Sequence, residues 1–324
     1  MTLPAVPAHG HAPRVSVLVP AKDEAENLPE FMRQAAETFA LTPGQYEVVV
    51  IDDGSTDATP AVLQRLEREY PFLRSVRHRV RRGIAEALRT GYTHSRGEIL
   101  VFYPADLQFK PEDIPKLVDP ILAGEVDMMT GRKEGEYDKA FVSGIYNGLS
   151  RRLFNVPVQD LNSVKAYRRD IMANMPARPD WHRYMIVMAA NDGYSVGEVP
   201  VPLYPRQAGK SKFGLSRIPI GVIDMLAVWF EIRFARKPLL LFGMAGATLF
   251  FIGLVTGIIA VLYRVIAGVG FRPLLTLVET CLLLGSIFFA TGLLAELMAA
   301  QRSELAELRR TVEELLARDS DAPR

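Results

Sequence analysis

Two long stretches without charge constrain this chain more than any other feature. Residues 239–263 are 25 side chains with no Asp, Glu, Lys or Arg, and residues 274–295 are 22 with one, Glu279. At ~1.5 Å per residue the first runs roughly 37 Å as a helix, enough to cross a ~30 Å hydrocarbon core with some tilt. The second is also long enough. Pro238 and Pro273 stand at the helix starts, where a missing N–H is no loss. Two buried helices of a soluble core would rarely be this long and apolar, so two membrane spans are predicted. The connecting segment 264–272 has only nine residues, which makes a hairpin with both flanks on one side. Arg233, Arg236, Lys237 and Arg302 on that side outnumber Arg264 and Arg272 in the loop. The excess predicts a multi-pass membrane protein with its main domain on the cytoplasmic side.

A carboxylate at the depth of Glu279 costs about 3 kcal/mol unless paired or protonated. A helix-packing contact, or reach toward Arg264 or Arg272, is expected for it, and inert packing for Cys281. Before the first span, residues 206–237 carry seven Lys/Arg against Asp224 and Glu231. Ile218, Val222, Leu226, Trp229 and Phe230 recur there at helical spacing. A basic stretch with an apolar stripe beside an anchor predicts a helix in the membrane interface. After the second span, Met298, Gln301, Leu305, Leu308, Val312 and Leu315 alternate by threes and fours. This heptad-like stripe predicts an amphipathic or coiled-coil tail and, if it pairs, a homo-oligomer. The predicted divisions are therefore a loose tail without secretory-signal features (1–13), a main domain (14–205), a basic juxtamembrane segment (206–237), the hairpin (238–299) and the tail (300–324).

Composition removes several classes. An apolar share of 49% with 23% charged residues excludes a disordered chain, and one cysteine excludes a disulfide scaffold or a cysteine-rich zinc site. A net charge of +1 argues against a nucleic-acid partner.

The main domain alternates strand and helix patterns. Strands are predicted at 14–20, from 46 toward 57, at 72–78 and at 98–106, with helical spacing between them (Leu28, Phe31, Met32, Ala35; Ala61, Leu63, Leu66, Tyr70; 83–93). Such alternation implies an α/β fold with a mainly parallel sheet covered on both faces, whose ligands bind beyond the carboxyl ends of the strands. Polar residues gather at those ends: Lys22, Asp23 and Glu24; Asp52, Asp53 and Asp57; Asp106 and Gln108. Ser55 and Asp57 are expected to cap the second helix. No GxGxxG follows the first strand, and no GxxxxGK[ST] occurs.

PAKDEAENLP (20–29), VIDDGSTD (50–57), ADLQFKPEDIP (105–115) and RQAGKSKFG (206–214), followed by two spans, resemble family 2 glycosyltransferases. The similarity is greatest to the polyprenyl-phosphate glycosyltransferases, the group of dolichyl-phosphate mannose synthase and the bacterial enzymes that charge undecaprenyl phosphate. It covers roughly residues 14–300. The resemblance implies a GT-A (Rossmann-like) catalytic domain. It also implies a nucleotide-sugar donor (UDP- or GDP-), a polyprenyl phosphate acceptor and a divalent metal, Mg or Mn, at the lipid bilayer.

Residue by residue, the resemblance implies that Pro20, Lys22, Glu24, Asp52, Asp53 and Gly83 border the nucleotide. Asp106 and Gln108 match the metal-binding part of the segment DADLQ, and Asp106 would be essential to catalysis. Arg132 matches an arginine near the donor or acceptor phosphate, in a segment following the fifth strand. Asp160 falls where the family has an acidic residue acting at the acceptor. Arg206, Lys210, Ser211 and Lys212 match a basic segment over phosphate. Two departures stand out. Pro104 occupies the first acidic position of DADLQ, for which Asp53 is a candidate substitute, and Ser163-Val164-Lys165 replaces the usual SGF. Two other readings fit parts of the sequence: transfer to a hydroxyl of a glycolipid or glycan, and a catalytically silent membrane scaffold, which Pro104 would suit.

Overall fold

Apolar, β-branched runs form the strands. The computed structural model describes residues 13–42, 44–135, 148, 153–154, 156, 158–175, 181–205, 218–234, 237–268 and 270–320. They belong to two units, Met1–Met225 and Leu226–Arg324. In the first, β1 (Val15–Ala21), β2 (Tyr46–Asp52), β3 (Leu73–Arg77), β4 (Ile99–Phe102), β5 (Met128–Glu134), β6 (Lys165–Arg168) and β7 (Val196–Pro202) join one sheet. Its order is β3-β2-β1-β4-β6-β5-β7. All pairings are parallel except those of β6, which runs antiparallel to β4 and β5.

Val15, Val17, Leu18 and Val19 are fully buried, as are Val48, Val49, Val50 and Ile51. Continuous burial replaces the alternation of a one-sided sheet, because crossover helices cover both faces. These are α1 (Leu28–Phe39), α2 (Thr59–Glu69), α3 (Ile84–His94) and α4 (Ile114–Leu122). Phe31, Met32, Ala35 and Phe39 of α1 are buried at the predicted three-and-four spacing. Short helices α5 (Arg169–Ala173) and α6 (Met185–Asn191), with a 3-10 turn at Trp181–Arg183, lie between β6 and β7.

The strand directions place the carboxyl ends of the six co-directional strands and the amino end of β6 on one edge. Phe102 pairs with Lys165, Lys165 with Thr130, and Thr130 with Glu198. One row of residues therefore crosses the sheet next to the loops that sequence singled out. The structure moves the predicted boundaries: β4 ends at Phe102, short of 106, just before Pro104, which has no N–H for a ladder, and β5 runs through Glu134, so Arg132 lies within that strand instead of after it. Pairing with β7 continues past Gly131, with Arg132 beside Pro200 and Glu134 beside Pro202.

Helix α7 (Ile218–Phe234) forms where the basic segment was expected to be helical. Among its described side chains Met225 and Val228 are buried, whereas Leu226 of the predicted stripe is exposed. The apolar residues surround this helix, so spacing alone did not select the buried face.

In the second unit α8 (Pro238–Ala267) and α9 (Arg272–Ser320) are both long and apolar enough to cross a membrane. Only 11% and 17% of their most apolar windows are buried, so this chain leaves most of their apolar surface uncovered. The two backbones touch at glycines. A Cβ on Gly246 would lie 2.6 Å from the Phe289 amide nitrogen, and one on Gly285 would lie 2.7 Å from that of Phe250. Small residues at a crossing let dispersion act between backbones where lipid offers no hydrophobic drive. Glu296 accepts the Leu239 N–H (3.1 Å), satisfying an amide at the open start of α8. Glu279 is exposed on α9 and has no ion pair among the described residues, contrary to the expected packing or reach. Cys281 is buried. The helix continues unbroken past residue 299, so the predicted tail extends the second span.

Candidate active site at the carboxyl edge of the sheet

The loops after β1 and β2 are zipped together. Lys22 Nζ donates to the Gly54 carbonyl (2.8 Å), the Asp23 amide donates to Ser55 Oγ (2.9 Å), and the Glu24 amide donates to Thr59 Oγ1 (2.9 Å). The Thr56 amide returns to Asp23 Oδ1 (2.8 Å), and this bond leads the effects that lower the Asp23 pKa. Asp23 is held at φ 54, a conformation uncommon outside glycine that such cross-links can hold in place. Ser55 thus faces the first loop and does not cap α2. Asp57 does meet that helix, accepting the Thr59 amide (2.9 Å).

The two aspartates after β2 do different work. Asp52 is 1% exposed. Its Oδ1 accepts the Ser55 amide (2.8 Å), and its Oδ2 has no hydrogen bond although Arg77 Nε lies 3.2 Å away. The Arg77 guanidinium thus balances the Asp52 charge beneath the strand ends. Asp53 is filled: Oδ1 meets His78 Nδ1 (2.9 Å) and the Arg82 amide (2.7 Å), and Oδ2 accepts the Gly83 amide (2.8 Å). Burial pushes the Asp53 pKa up, but these bonds outweigh it and hold it below the ordinary carboxylate value. Asp53 therefore builds the loop after β3 and is a poor substitute for the acid missing at 104. Gly83, at φ 91, serves the same loop with its amide engaged. Gly54 permits the approach, since a Cβ there would lie 2.7 Å from the Arg81 amide nitrogen.

Beyond β4, burial alternates. Tyr103, Ala105, Leu107 and Phe109 are buried, while Pro104, Asp106, Gln108 and Lys110 are half-buried on the other side. Leu107 takes φ 56, and its side chain is 1% exposed. Burying a leucine contributes about 2 kcal/mol, comparable with the strain of such a residue. The core thereby holds a turn that presents Asp106 and Gln108 together. The Gln108 amide donates to Asp106 Oδ1 (3.2 Å), and the Gln108 carbonyl accepts the Tyr204 amide (2.9 Å). Lys110 Nζ lies 4.2 Å over the Tyr204 ring. Among the described residues no three His, Cys, Asp or Glu side chains converge as a complete metal cage. Two hard oxygens on one face suit an ion that completes its shell with phosphate and water.

At the far side of the edge, Glu198 Oε1 accepts the amides of Gln159 (2.7 Å) and Asp160 (2.9 Å). Asp160 is 4% exposed, and its Oδ2 lies 3.2 Å from Lys133 Nζ, which also donates to the Asn162 carbonyl (2.8 Å). Arg132 pairs with Glu134 instead (3.2 Å). Strand alternation sends neighbours 132 and 133 to opposite faces, so Lys133 meets the acidic residue and Arg132 does not. Sequence reading missed Lys133, Lys165, Glu198, Arg77 and His78. Lys133 stood beside a singled-out arginine, whereas Glu198 and His78 carry no local signal. Pro20 sits in β1 beside Ile51. Arg206, Lys210, Ser211 and Lys212 lie outside the described residues.

The profile of glycosyl transferase family 2 matches residues 16–156. Dodecaprenyl-phosphate galacturonate synthase of Rhizobium johnstonii is 30% identical over 296 residues, 88% of this chain and 87% of that protein. Undecaprenyl-phosphate 4-deoxy-4-formamido-L-arabinose transferase of Klebsiella pneumoniae is 27% identical, covering 87% of each chain. Glucosyl-3-phosphoglycerate synthase of Mycobacterium tuberculosis, solved with Mn2+, UDP and glucosyl-3-phosphoglycerate, has a TM-score of 0.55 at 22% identity. It covers 68% of this chain and 80% of its own, and shows a shared fold. The chain belongs to glycosyl transferase family 2, and within it to the polyprenyl-phosphate glycosyltransferases.

Proposed function

We propose that this protein moves one sugar from a nucleoside-diphosphate donor to the phosphate of a polyprenyl phosphate, at the cytoplasmic face of the inner membrane. The names of both relatives specify a polyprenyl-phosphate acceptor. The observation that carries the reading is the bond between the Tyr204 amide and the Gln108 carbonyl. Arg206 follows Tyr204 by two residues, a reach of about 7 Å. Tyr204, the second residue before the basic segment in the sequence, is thus tied to the turn that presents Asp106 and Gln108.

In this reading Asp52 borders the nucleotide together with Pro20, Lys22 and Glu24. Asp106 and Gln108 would hold a divalent cation, Mg or Mn. When bound, that ion supplies Lewis-acid neutralisation of the leaving group. Arg206, Lys210, Ser211 and Lys212 hold the lipid phosphate, with Arg132 at the margin. A phosphate oxygen is already ionised near neutral pH, since its second pKa is ~6. It attacks C1 of the sugar; the bond from C1 to the diphosphate oxygen breaks, its electron pair leaves with the nucleoside diphosphate, and the anomeric centre inverts. No proton is removed in the step, so Asp160 orients the acceptor site and need not act as a base. A hydroxyl acceptor would need that base.

The division into catalytic domain (14–205), basic segment (206–237), hairpin (238–299) and tail (300–324) is part of the same proposal. Met298, Leu305, Leu308 and Val312 are exposed along α9, which favours a parallel pair of chains through this stripe. The test is a panel of UDP-glucose, UDP-galactose, UDP-N-acetylglucosamine, UDP-galacturonate and GDP-mannose, each radiolabelled in the sugar. They are offered with undecaprenyl phosphate to the detergent-solubilised protein. At least one should label the lipid, and a panel that labels none contradicts the proposal.

A further inference from the structure

Lys165 is 2% exposed and opens β6 at the site edge, yet none of the roles above uses it. Its Nζ donates to the Leu161 carbonyl (3.1 Å) and to the His182 carbonyl (3.2 Å). Leu161 directly follows Asp160, and His182 lies in the separate turn Trp181–Arg183. One ammonium therefore joins the loop that carries Asp160 to a second element. Burying a charge costs several kcal/mol, which a methionine of similar length would avoid. A fold under no other demand would gain by the exchange.

We propose that Lys165 is a positioning residue for the acceptor side of the transfer: its ammonium, held between the Leu161 and His182 carbonyls, fixes the orientation of the Asp160 carboxylate. The inference rests on the glycosyl-transfer reading. It distinguishes two lysines around one acid, since Lys133 contacts Asp160 from β5 while Lys165 acts through the carbonyl of the next residue, Leu161.

Burial lowers the Lys165 pKa to about 8, with Asp160 opposing the shift and Lys133 adding to it. His182, the other titratable group facing it, is pushed down to about 3 by burial, with Lys165 and Arg183 contributing, and stays neutral. As pH rises past about 8 the ammonium becomes an amine. Its hydrogen bonds lose their charge and Asp160 loses an attraction. The folded pKa lies below the ~10.4 of an exposed lysine, so the charged form opposes folding, and that penalty fades between pH ~8 and ~10.4. The Lys165 contributions to turnover and to stability therefore run in opposite directions with pH.

The test uses the full chain in detergent. Wild-type kcat should fall with a midpoint near pH 8. Lys165→Met should lower kcat at neutral pH about 10- to 100-fold, keep the donor KM within about twofold and flatten the alkaline limb. Lys165→Arg, charged throughout, should recover part of kcat and move the limb upward. The Tm of wild type should gain on that of Lys165→Met as pH rises. A Lys165→Met protein with normal kcat, or with reduced kcat and an unchanged alkaline limb, overturns the proposal. Hydrogen exchange of residues 158–164, corrected for intrinsic rates, decides it without turnover. At about pH 7 these residues should exchange faster in Lys165→Met, which lacks the bonds to the Leu161 and His182 carbonyls, than in wild type, and equal rates overturn the role. If no donor reacts, the transfer reading fails by itself and the exchange result still stands.

Discussion

Asp53 Oδ1 and His78 Nδ1 lie 2.9 Å apart, and the other nitrogen of the same ring lies 2.9 Å from Thr90 Oγ1. The pair links the end of β2 to the end of β3 and to α3, with both side chains nearly buried. It makes the loop after β3 a fixed wall beside Asp52.

Replacing Asp53 with Ala should therefore loosen residues 78–83. Loss of three bonds to a charged acceptor is expected to destabilise the domain by about 2–3 kcal/mol. Arg79, Arg81 and Arg82 are exposed in this loop, so trypsin should cut there faster in Asp53→Ala than in wild type. The pKa of Asp53 is lowered on folding, so its stabilisation is present above the ordinary value of ~3.9 and is lost as pH falls through the lower folded value. Hydrogen exchange of 78–83 in wild type should stay slow at about pH 5 and rise only below about pH 4.

Asp106→Ala should reduce turnover at least about 1000-fold, because neutralising the leaving diphosphate is the largest catalytic contribution expected. Initial rates with radiolabelled donor and a Mn2+ titration check it. Near-normal turnover would remove Asp106 from the metal site.

Lys210→Ala combined with Lys212→Ala should raise the KM for undecaprenyl phosphate tenfold or more, about 1.4 kcal/mol, with donor KM within about twofold. Steady-state kinetics with each substrate varied in turn separate the two. Equal losses would place these lysines on the donor.

Gly246→Ala should lower the Tm in detergent, because its new Cβ would meet the Phe289 amide and the Gly285 carbonyl within 2.7 Å. Overpacking of this kind typically costs about 1–3 kcal/mol. Gly257→Ala, whose Cβ would sit 3.4 Å from a Val278 methyl, is the matched control and should change little.

The four parallel strands and the hairpin were legible because each carries a period or a run that local sequence states directly. The reach of β5 through Glu134 was not, since it depends on pairing with β7, more than 60 residues away. The site divided in the same way. Asp52, Asp106 and Gln108 stand at strand ends that alternation located, and the buried Leu107 at positive φ explains how two of them face together. Asp53 read as a free acid because its three donors come from residues 78–83, a loop whose fold nothing in DDGS announces. Lys133 and Glu198 reach Asp160 only through the register of β5 and β7. Long-range pairing is what a single sequence conceals.

The central claim, that an ionised lipid phosphate displaces the donor's diphosphate at a site where Asp106 and Gln108 would hold a divalent cation, is tested by offering the reactive donor to undecaprenyl phosphate and to undecaprenol side by side, with EDTA and then with Mn2+ restored. Labelling of the phosphate lipid alone, abolished by EDTA and recovered with Mn2+, is the predicted result. Equal labelling of the alcohol, or transfer indifferent to EDTA, would contradict it.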